Sequence, residues 1–264
     1  MSKKNSSWLF IVIMNLWVYS LTILLTLIGM ILPFPLFGLW FVVTWWPKQK
    51  IMHHLIWIYG RAWFLIIRPF ITFQSDSFDQ NDIRFPCILV INHLSFLDTY
   101  FLSKLPFFDI TITIRTWPFK MFWYSLFMRI AGYLNLEQQT WEESLEAAKR
   151  ELDADRAILF FPEGHRSRDG QLGRFYSGAF KVATKTGVPL VPLCITGTDV
   201  LLPAGRRWLR PADIRMRMLS PVDPADFPGP LGHVELRKHV KAAMAASIEE
   251  MCANREKESY LTQC

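Results

Sequence analysis

Residues Ala157–Gly170 read AILFFPEGHRSRDG, and the way this stretch breaks decides the class of fold. Five apolar residues in a row suit a strand covered on both faces, because strands of a parallel sheet between helix layers read as continuous apolar runs. Pro162 and Gly164 then stop the strand, and charged residues follow at once. A second stretch, CILVI at 87–91, breaks in the same way into NHLSFLD. Outward from these two, short apolar runs predict strands over 70–74, 110–114, 132–136, 189–195 and 214–218. Helical patterns fall over 94–104, 118–130, 175–187 and 233–256, and TWEESLEAAKRELDAD opens on a capping box, Thr140 with Glu143. Strands alternating with helices predict an α/β fold with a mixed, mostly parallel sheet flanked by helices. The run at 214–218 alternates instead, which predicts Arg215 and Arg217 on one exposed face.

The chain's 264 residues are 51% hydrophobic and 15% aromatic, with 11 Trp and 21 Phe, a heavy apolar load for a purely soluble enzyme. That load is concentrated at one end, since no charged residue stands between Ser6 and Trp46. A bilayer core takes about 20 apolar residues as helix. Pro33 and Pro35 interrupt the run, so two limbs are expected, 8–31 and 36–46. Lys3 and Lys4 before the pair, with Lys48 and Lys50 after it, place both ends on the cytoplasmic side. A membrane-embedded hairpin or re-entrant pair fits this pattern better than a single crossing, a cleaved leader or a buried soluble hairpin. A third helix over 51–69 carries His53 and His54, neither with a carboxylate at a useful spacing, so both are expected to pack or to lie at the interface. Residues 1–69 are thus expected to anchor an α/β domain spanning 70–264.

The formal net charge is +6, and much of the excess lies at Arg61, Arg68, Arg206, Arg207, Arg210, Arg215 and Arg217. Cations beside a membrane anchor attract anionic head groups, whereas no basic-aromatic motif points to nucleic acid. The expected partners are therefore membrane lipids and no nucleic acid. Four cysteines without paired spacing argue against a disulfide framework or a zinc site, and no metal is expected.

Strand 87–91 delivers Asn92 and His93, with Asp98 five residues beyond the histidine. A histidine acting as base needs a carboxylate to hold its tautomer and support its charge. Five residues of regular helix turn through about 500°, leaving the two side chains about 140° apart. His93 must then sit on the turn before the helix for Asp98 to reach it. None of the other five histidines has an acid at this spacing, and position 170, five beyond His165, is Gly. In the second turn, Arg166 and Arg168 beside Gly164 suit a grip on phosphate. Ser95 is a nucleophile candidate for a lipid hydrolase, but no GxSxG elbow accompanies it.

These blocks carry a resemblance. NHLSFLD resembles the NHxxxxD block and FPEGHRS the FPEGTRS block of the lysophosphatidic acid acyltransferase family of glycerolipid acyltransferases. FYSGAFKVATKTGVPLVPLCITG is similar to the segment that follows them, and the likeness covers about 85–220. It implies transfer of a fatty acyl group from acyl-CoA or acyl-carrier protein, as co-substrate and without a cofactor, to a lysolipid hydroxyl at the cytoplasmic membrane face, the inner membrane in a bacterium. His93 would be the general base and Asp98 its orienting acid. Glu163, Gly164 and Arg166 would bind the acceptor's glycerol-phosphate, with His165, Ser167 and Arg115 beside them, and Pro192 would belong to the acyl-site strand. The chain departs from the family pattern at Gln138 and Tyr176, where Arg and Lys are usual, and at His165, where Thr is usual. Arg115, Arg174 and Lys181 are the cations placed to compensate. Lysophosphatidic acid and other lysolipids both stay open as acceptor, as does a catalytically inactive membrane scaffold of the same fold.

Overall fold

The apolar runs form the strands of a single sheet. The computed structural model describes residues 8–31, 33–76 and 83–261. Its strands are β1 (Ile71–Asp76), β2 (Cys87–Ile91), β3 (Ile110–Ile114), β4 (Leu134–Asn135), β5 (Ala157–Phe160), β6 (Leu190–Thr196) and β7 (Ala212–Met218). Their order across the sheet is β1-β7-β6-β2-β5-β3-β4. All neighbours are parallel except β6 and β7, so β1 and β7 run against the other five. The sheet is thus mixed and mostly parallel, as expected. Every residue of β2, β5 and β6 is buried, which is why these strands read as unbroken apolar runs.

Helices cover both faces. They are α1 (Trp8–Ile31), α2 (Pro33–Thr44), α3 (Lys48–Ile67), α4 (Asp98–Phe101), α5 (Phe122–Ile130), α6 (Trp141–Asp153), α7 (Gly178–Thr186), α8 (Thr198–Leu201) and α9 (Gly232–Leu261). Alternate strand residues serve the two layers. Leu89, Ile91 and Leu159 join Trp63, Phe64 and Ile67 of α3 and Met14 and Val18 of α1. Ile88, Val90, Ile158 and Phe160 join Ala148 of α6, Phe180 of α7 and Val240 and Met244 of α9. Each such Leu, Ile, Val, Phe or Met side chain, fully buried, contributes about 1.5–3 kcal/mol. The boundary expected between residues 69 and 70 is therefore crossed by one continuous core.

Several boundaries moved for local reasons. The second limb opens at Pro33 rather than at 36, because a helix's first turn needs no amide donors and tolerates proline. The helix expected over 94–104 shortens to α4 and a 3₁₀ turn at Leu102–Lys104, because the amides of Leu94 and Ser95 bond the Asp98 carboxylate. The helix expected over 118–130 begins as a 3₁₀ turn, Trp117–Lys120, and that expected over 175–187 starts only at Gly178. The strand at 132–136 keeps two residues. Thr140 and Glu143 do form the capping box of α6.

Two expectations about charge are corrected. Arg215 and Arg217 do not line an exposed face: the Arg215 side chain is buried beside Asp213, and that of Arg217, 17% exposed, pairs with Asp76 and Glu250. His53 does have an acid, brought by the fold from 56 positions away. Its Nδ1 lies 2.7 Å from Asp109 Oδ1 and its Nε2 2.7 Å from the Ala131 carbonyl. Lys3 and Lys4 lie outside the described residues. Because α3 belongs to the core, Trp63→Ala should lower stability by about 3–5 kcal/mol and shift the one main thermal unfolding transition downwards. A transition of the sheet domain left unmoved would show that α3 is a separable anchor.

Candidate active site

Strands β5, β2 and β6 are adjacent and parallel, so their C-terminal ends open on one edge of the sheet, where α/β folds place their sites. At the end of β2, Asn92 turns inward and bonds β6: its Nδ2 donates to the Ile195 carbonyl at 2.9 Å, and its Oδ1 accepts from the Ile195 amide at 2.8 Å. That double bond fixes where the next residue stands. His93 is outside any regular helix, its side chain 19% exposed, with Nδ1 2.8 Å from Asp98 Oδ2. Asp98 is fully buried. Besides the His93 ring, its Oδ2 accepts from the Leu94 and Ser95 amides at 2.8 and 2.9 Å, and its Oδ1 accepts from the Thr198 hydroxyl at 2.6 Å.

Since Asp98 only accepts here, the proton of neutral His93 belongs on Nδ1 and the lone pair on Nε2. No described residue bonds Nε2. Phe161 lies against the imidazole with ring centroids 4.1 Å apart, which restricts its rotation.

The second turn is bound to the first through the backbone of His93. Glu163 Oε1 accepts from the His93 amide at 2.9 Å, and the Ser167 amide donates to the His93 carbonyl at 2.8 Å. Glu163 Oε2 accepts from the Gly173 amide at 2.8 Å. Both carboxylate oxygens are thus committed to backbone amides, and the side chain is 2% exposed. Burial pushes this carboxyl above the ordinary carboxylate range, against the pull of the two amides. A Cβ at position 173 would come within 2.8 Å of Glu163 Oε2, so Gly173 is what lets the carboxylate reach across. Gly164 is left-handed, at φ 69°, and takes the chain around the turn.

The residues read as substrate-binding therefore divide. Glu163 and the Ser167 amide face protein, and the Ser167 hydroxyl donates to Asp169 at 2.9 Å. His165 Nδ1 lies 2.7 Å from the Glu163 carbonyl. Arg166 is half-buried and makes no hydrogen bond or ion pair with a described residue, while Arg174 is exposed nearby in sequence to Gly173. Arg115 follows β3 on the same sheet edge but is ion-paired with Glu137. The Thr116 amide, and then Arg115, hold the Glu137 carboxyl below its usual range. Pro192 lies in the middle of β6, paired with Val90. Ser95 is wholly buried and donates to the Leu202 carbonyl at 2.9 Å, so it is placed as a tie and not as a nucleophile.

Sequence reading missed Thr198 and Gly173. The available signal for the first was Gly197 after an apolar strand: its φ is 86° and a Cβ there would sit 2.0 Å from the Asp213 carbonyl oxygen.

Four likenesses accompany this geometry. An Acyltransferase family model matches residues 74–196, which include both turns. A chloroplastic 1-acyl-sn-glycerol-3-phosphate acyltransferase of Brassica napus is 34% identical over 148 residues, 52% of this chain and 41% of the relative. Its counterpart in Arabidopsis thaliana is 31% identical over 195 residues, 69% of this chain and 52% of the relative. The chain thus spans about half the length of the curated relatives it matches. The crystal structure of a 1-acyl-sn-glycerophosphate acyltransferase from Thermotoga maritima superimposes with a TM-score of 0.73 at 23% identity, over 92% of this chain and 96% of that one, a likeness of fold.

Replacing Glu163 by Gln turns one of its two oxygens into a donor facing an amide donor. Glu163→Gln should cost about 1–3 kcal/mol, read as a lower denaturation midpoint, and an unchanged midpoint would show that the carboxylate does not brace the two turns.

Proposed function

The chain belongs to the lysophosphatidic acid acyltransferase family of glycerolipid acyltransferases, and from that premise we propose that it moves a fatty acyl group from a thioester to the free hydroxyl of lysophosphatidic acid, forming phosphatidic acid. The observation that carries the reading is the His93–Asp98 pair, with Nδ1 held by the buried carboxylate and Nε2, at the sheet edge, bonded by no described residue.

In this mechanism Nε2 accepts the proton of the acceptor hydroxyl as its oxygen attacks the thioester carbonyl. The imidazolium so formed is supported by Asp98, which stays an acceptor throughout. Collapse of the tetrahedral intermediate breaks the carbon–sulfur bond, and the departing thiolate recovers the proton from Nε2. The ester and a free thiol result, with no acyl-enzyme, in keeping with a Ser95 turned into the protein. A positioned base supplies about 10²- to 10⁴-fold, and orientation adds to it. Arg166, without an acid among the described residues, is the cation offered to the acceptor phosphate. The turn from Glu163 to Ser167 acts mainly through the His93 backbone. Acyl-CoA and acyl-carrier protein both satisfy this chemistry as donor.

The proposed membrane attachment rests on α1. Its 24 residues span about 36 Å, enough to cross a bilayer core of about 30 Å, and it is the one such helix among the described residues. The 12 residues of α2 reach only about 18 Å. One side of α1 is held by protein: Asn15 exchanges two hydrogen bonds with the Leu209 backbone, the Tyr19 hydroxyl donates to the Arg207 carbonyl, and the Trp17 indole donates to the Ile66 carbonyl. Its other side exposes Leu9, Leu16, Ile23 and Leu27. Exposed Arg206, Arg207 and Arg210 lie beside the middle of the helix, a level suited to head groups, so α1 enters the membrane by its free side while the domain rests on the cytoplasmic surface.

A reconstituted assay with labelled acyl donors and a panel of lysolipids tests the chemistry. His93→Ala should lose at least about 100-fold in rate, and Arg166→Ala should raise the KM for phosphorylated acceptors only; a His93→Ala protein as fast as wild type would remove the base assignment. For the membrane contact, Arg206→Glu, Arg207→Glu and Arg210→Glu together should lower partition onto vesicles containing anionic lipid by roughly 100-fold, at about 1 kcal/mol per cation, with little change on neutral vesicles. Equal loss on both would place the arginines in folding and not at the head groups.

A further inference from the structure

We propose that Thr198 is a positioning residue of the catalytic site, which holds the Asp98 carboxylate against His93 from the far side. The inference rests on the reading of His93 as base. The two oxygens of Asp98 are unequally supplied. Oδ2 has three donors, all from the turn that carries the carboxylate itself, namely the His93 ring and the amides of Leu94 and Ser95. Oδ1 has one among the described residues, the Thr198 hydroxyl at 2.6 Å, which comes from 100 positions later in the chain.

Both partners are completely buried, so water does not stand in for a lost donor without reopening the packing. Thr198 is held where it is by its own surroundings. Gly197 passes so close to β7 that no side chain fits there, and Thr198 begins α8 immediately after it. In the opposite sense, the Ser95 hydroxyl donates to the Leu202 carbonyl just past α8. Two hydroxyl bonds pointing in opposite directions thus join the segment 198–202 to the segment 95–98, and one of them ends on the oxygen that the His93 turn does not supply.

The chemical consequence concerns how the carboxylate divides its charge. With Thr198 present, Oδ1 is neutralised by a donor that takes no part in the reaction, and Oδ2 keeps its orientation towards Nδ1. Without that hydroxyl the carboxylate retains its three near donors but loses the fourth. More negative charge then faces the imidazole, and the plane of the carboxylate is free to tilt. The imidazolium becomes easier to form and the ring less well aimed.

The test compares Thr198→Val, of nearly equal shape, with Thr198→Ser, which keeps the hydroxyl. For Thr198→Val, kcat should fall on the order of 10- to 100-fold, the worth of a buried bond to a charged group. The KM values for donor and acceptor should stay near wild type, and the acid limb of the kcat/KM profile should move to higher pH. Thr198→Ser should restore both the rate and the limb. An acid limb that stays in place in Thr198→Val, whether or not the rate falls, would overturn the proposal, as would a serine variant no better than valine, because either result makes Thr198 a packing residue only. Failure of the underlying reading is seen separately, as full activity of His93→Ala in the same assay.

Discussion

A carboxylate without exposed surface, bonded by four donors, governs the sheet edge of this protein. Asp98 draws in the His93 ring, the two amides that follow it, and a hydroxyl from beyond β6. Leaving such a group short of donors in a dry interior costs several kcal/mol, so the surrounding chain is obliged to keep its shape. The cost is visible in the secondary structure. The amides of Leu94 and Ser95 turn to the carboxylate, and the helix expected to begin at 94 is delayed to 98.

A second buried carboxylate makes the same use of backbone amides. Glu163 bonds the amides of His93 and Gly173, so the two acids approach the histidine differently: one through its ring and one through its peptide. With the Ser167 amide on the His93 carbonyl, both polar groups of that peptide are bound by the neighbouring turn. The ring is therefore aimed by three strand ends at once, those of β2, β5 and β6. Such over-determination lets a residue on a turn work as though it stood on a rigid element.

The strands were legible to within a few residues because burial on both faces writes a continuous apolar run, and the cap of α6 because it is purely local. The pairing of His93 with Asp98 was legible for the same reason: both belong to one turn. What escaped was whatever depends on residues far apart in sequence. Thr198 meets Asp98, Asp109 meets His53, and Asp76 and Glu250 meet Arg217, with no local pattern announcing any of them. Glu163 misled for a subtler reason. An acid in a glycine-bearing turn at a strand end reads the same whether its oxygens face a ligand or the backbone, and only the approach of Gly173 distinguishes the two.

The segment after β6 connects these themes. At one end, Thr198 and Leu202 are tied to Asp98 and Ser95; at the other, Arg207 and Leu209 are tied to Tyr19 and Asn15 of α1. Between them the Arg210 amide bonds the Leu201 carbonyl, closing the loop back on α8. The same stretch of chain thus touches both Asp98, the proposed orienting acid, and α1, the helix proposed to face lipid. On the proposed reading, a thioester donor and a lipid acceptor meet only if the site stands at a set height above the acyl chains, and hydrogen bonds set height more sharply than apolar contact, which is indifferent to sliding. Asn15 is the one buried polar residue of α1; its side-chain oxygen accepts from the Leu209 amide, and its NH2 group donates both to the Leu209 carbonyl and to the Ile11 carbonyl one turn back. An amide so placed in an otherwise apolar helix fixes the register of α1 against the domain, and with it the position of the proposed anchor relative to His93.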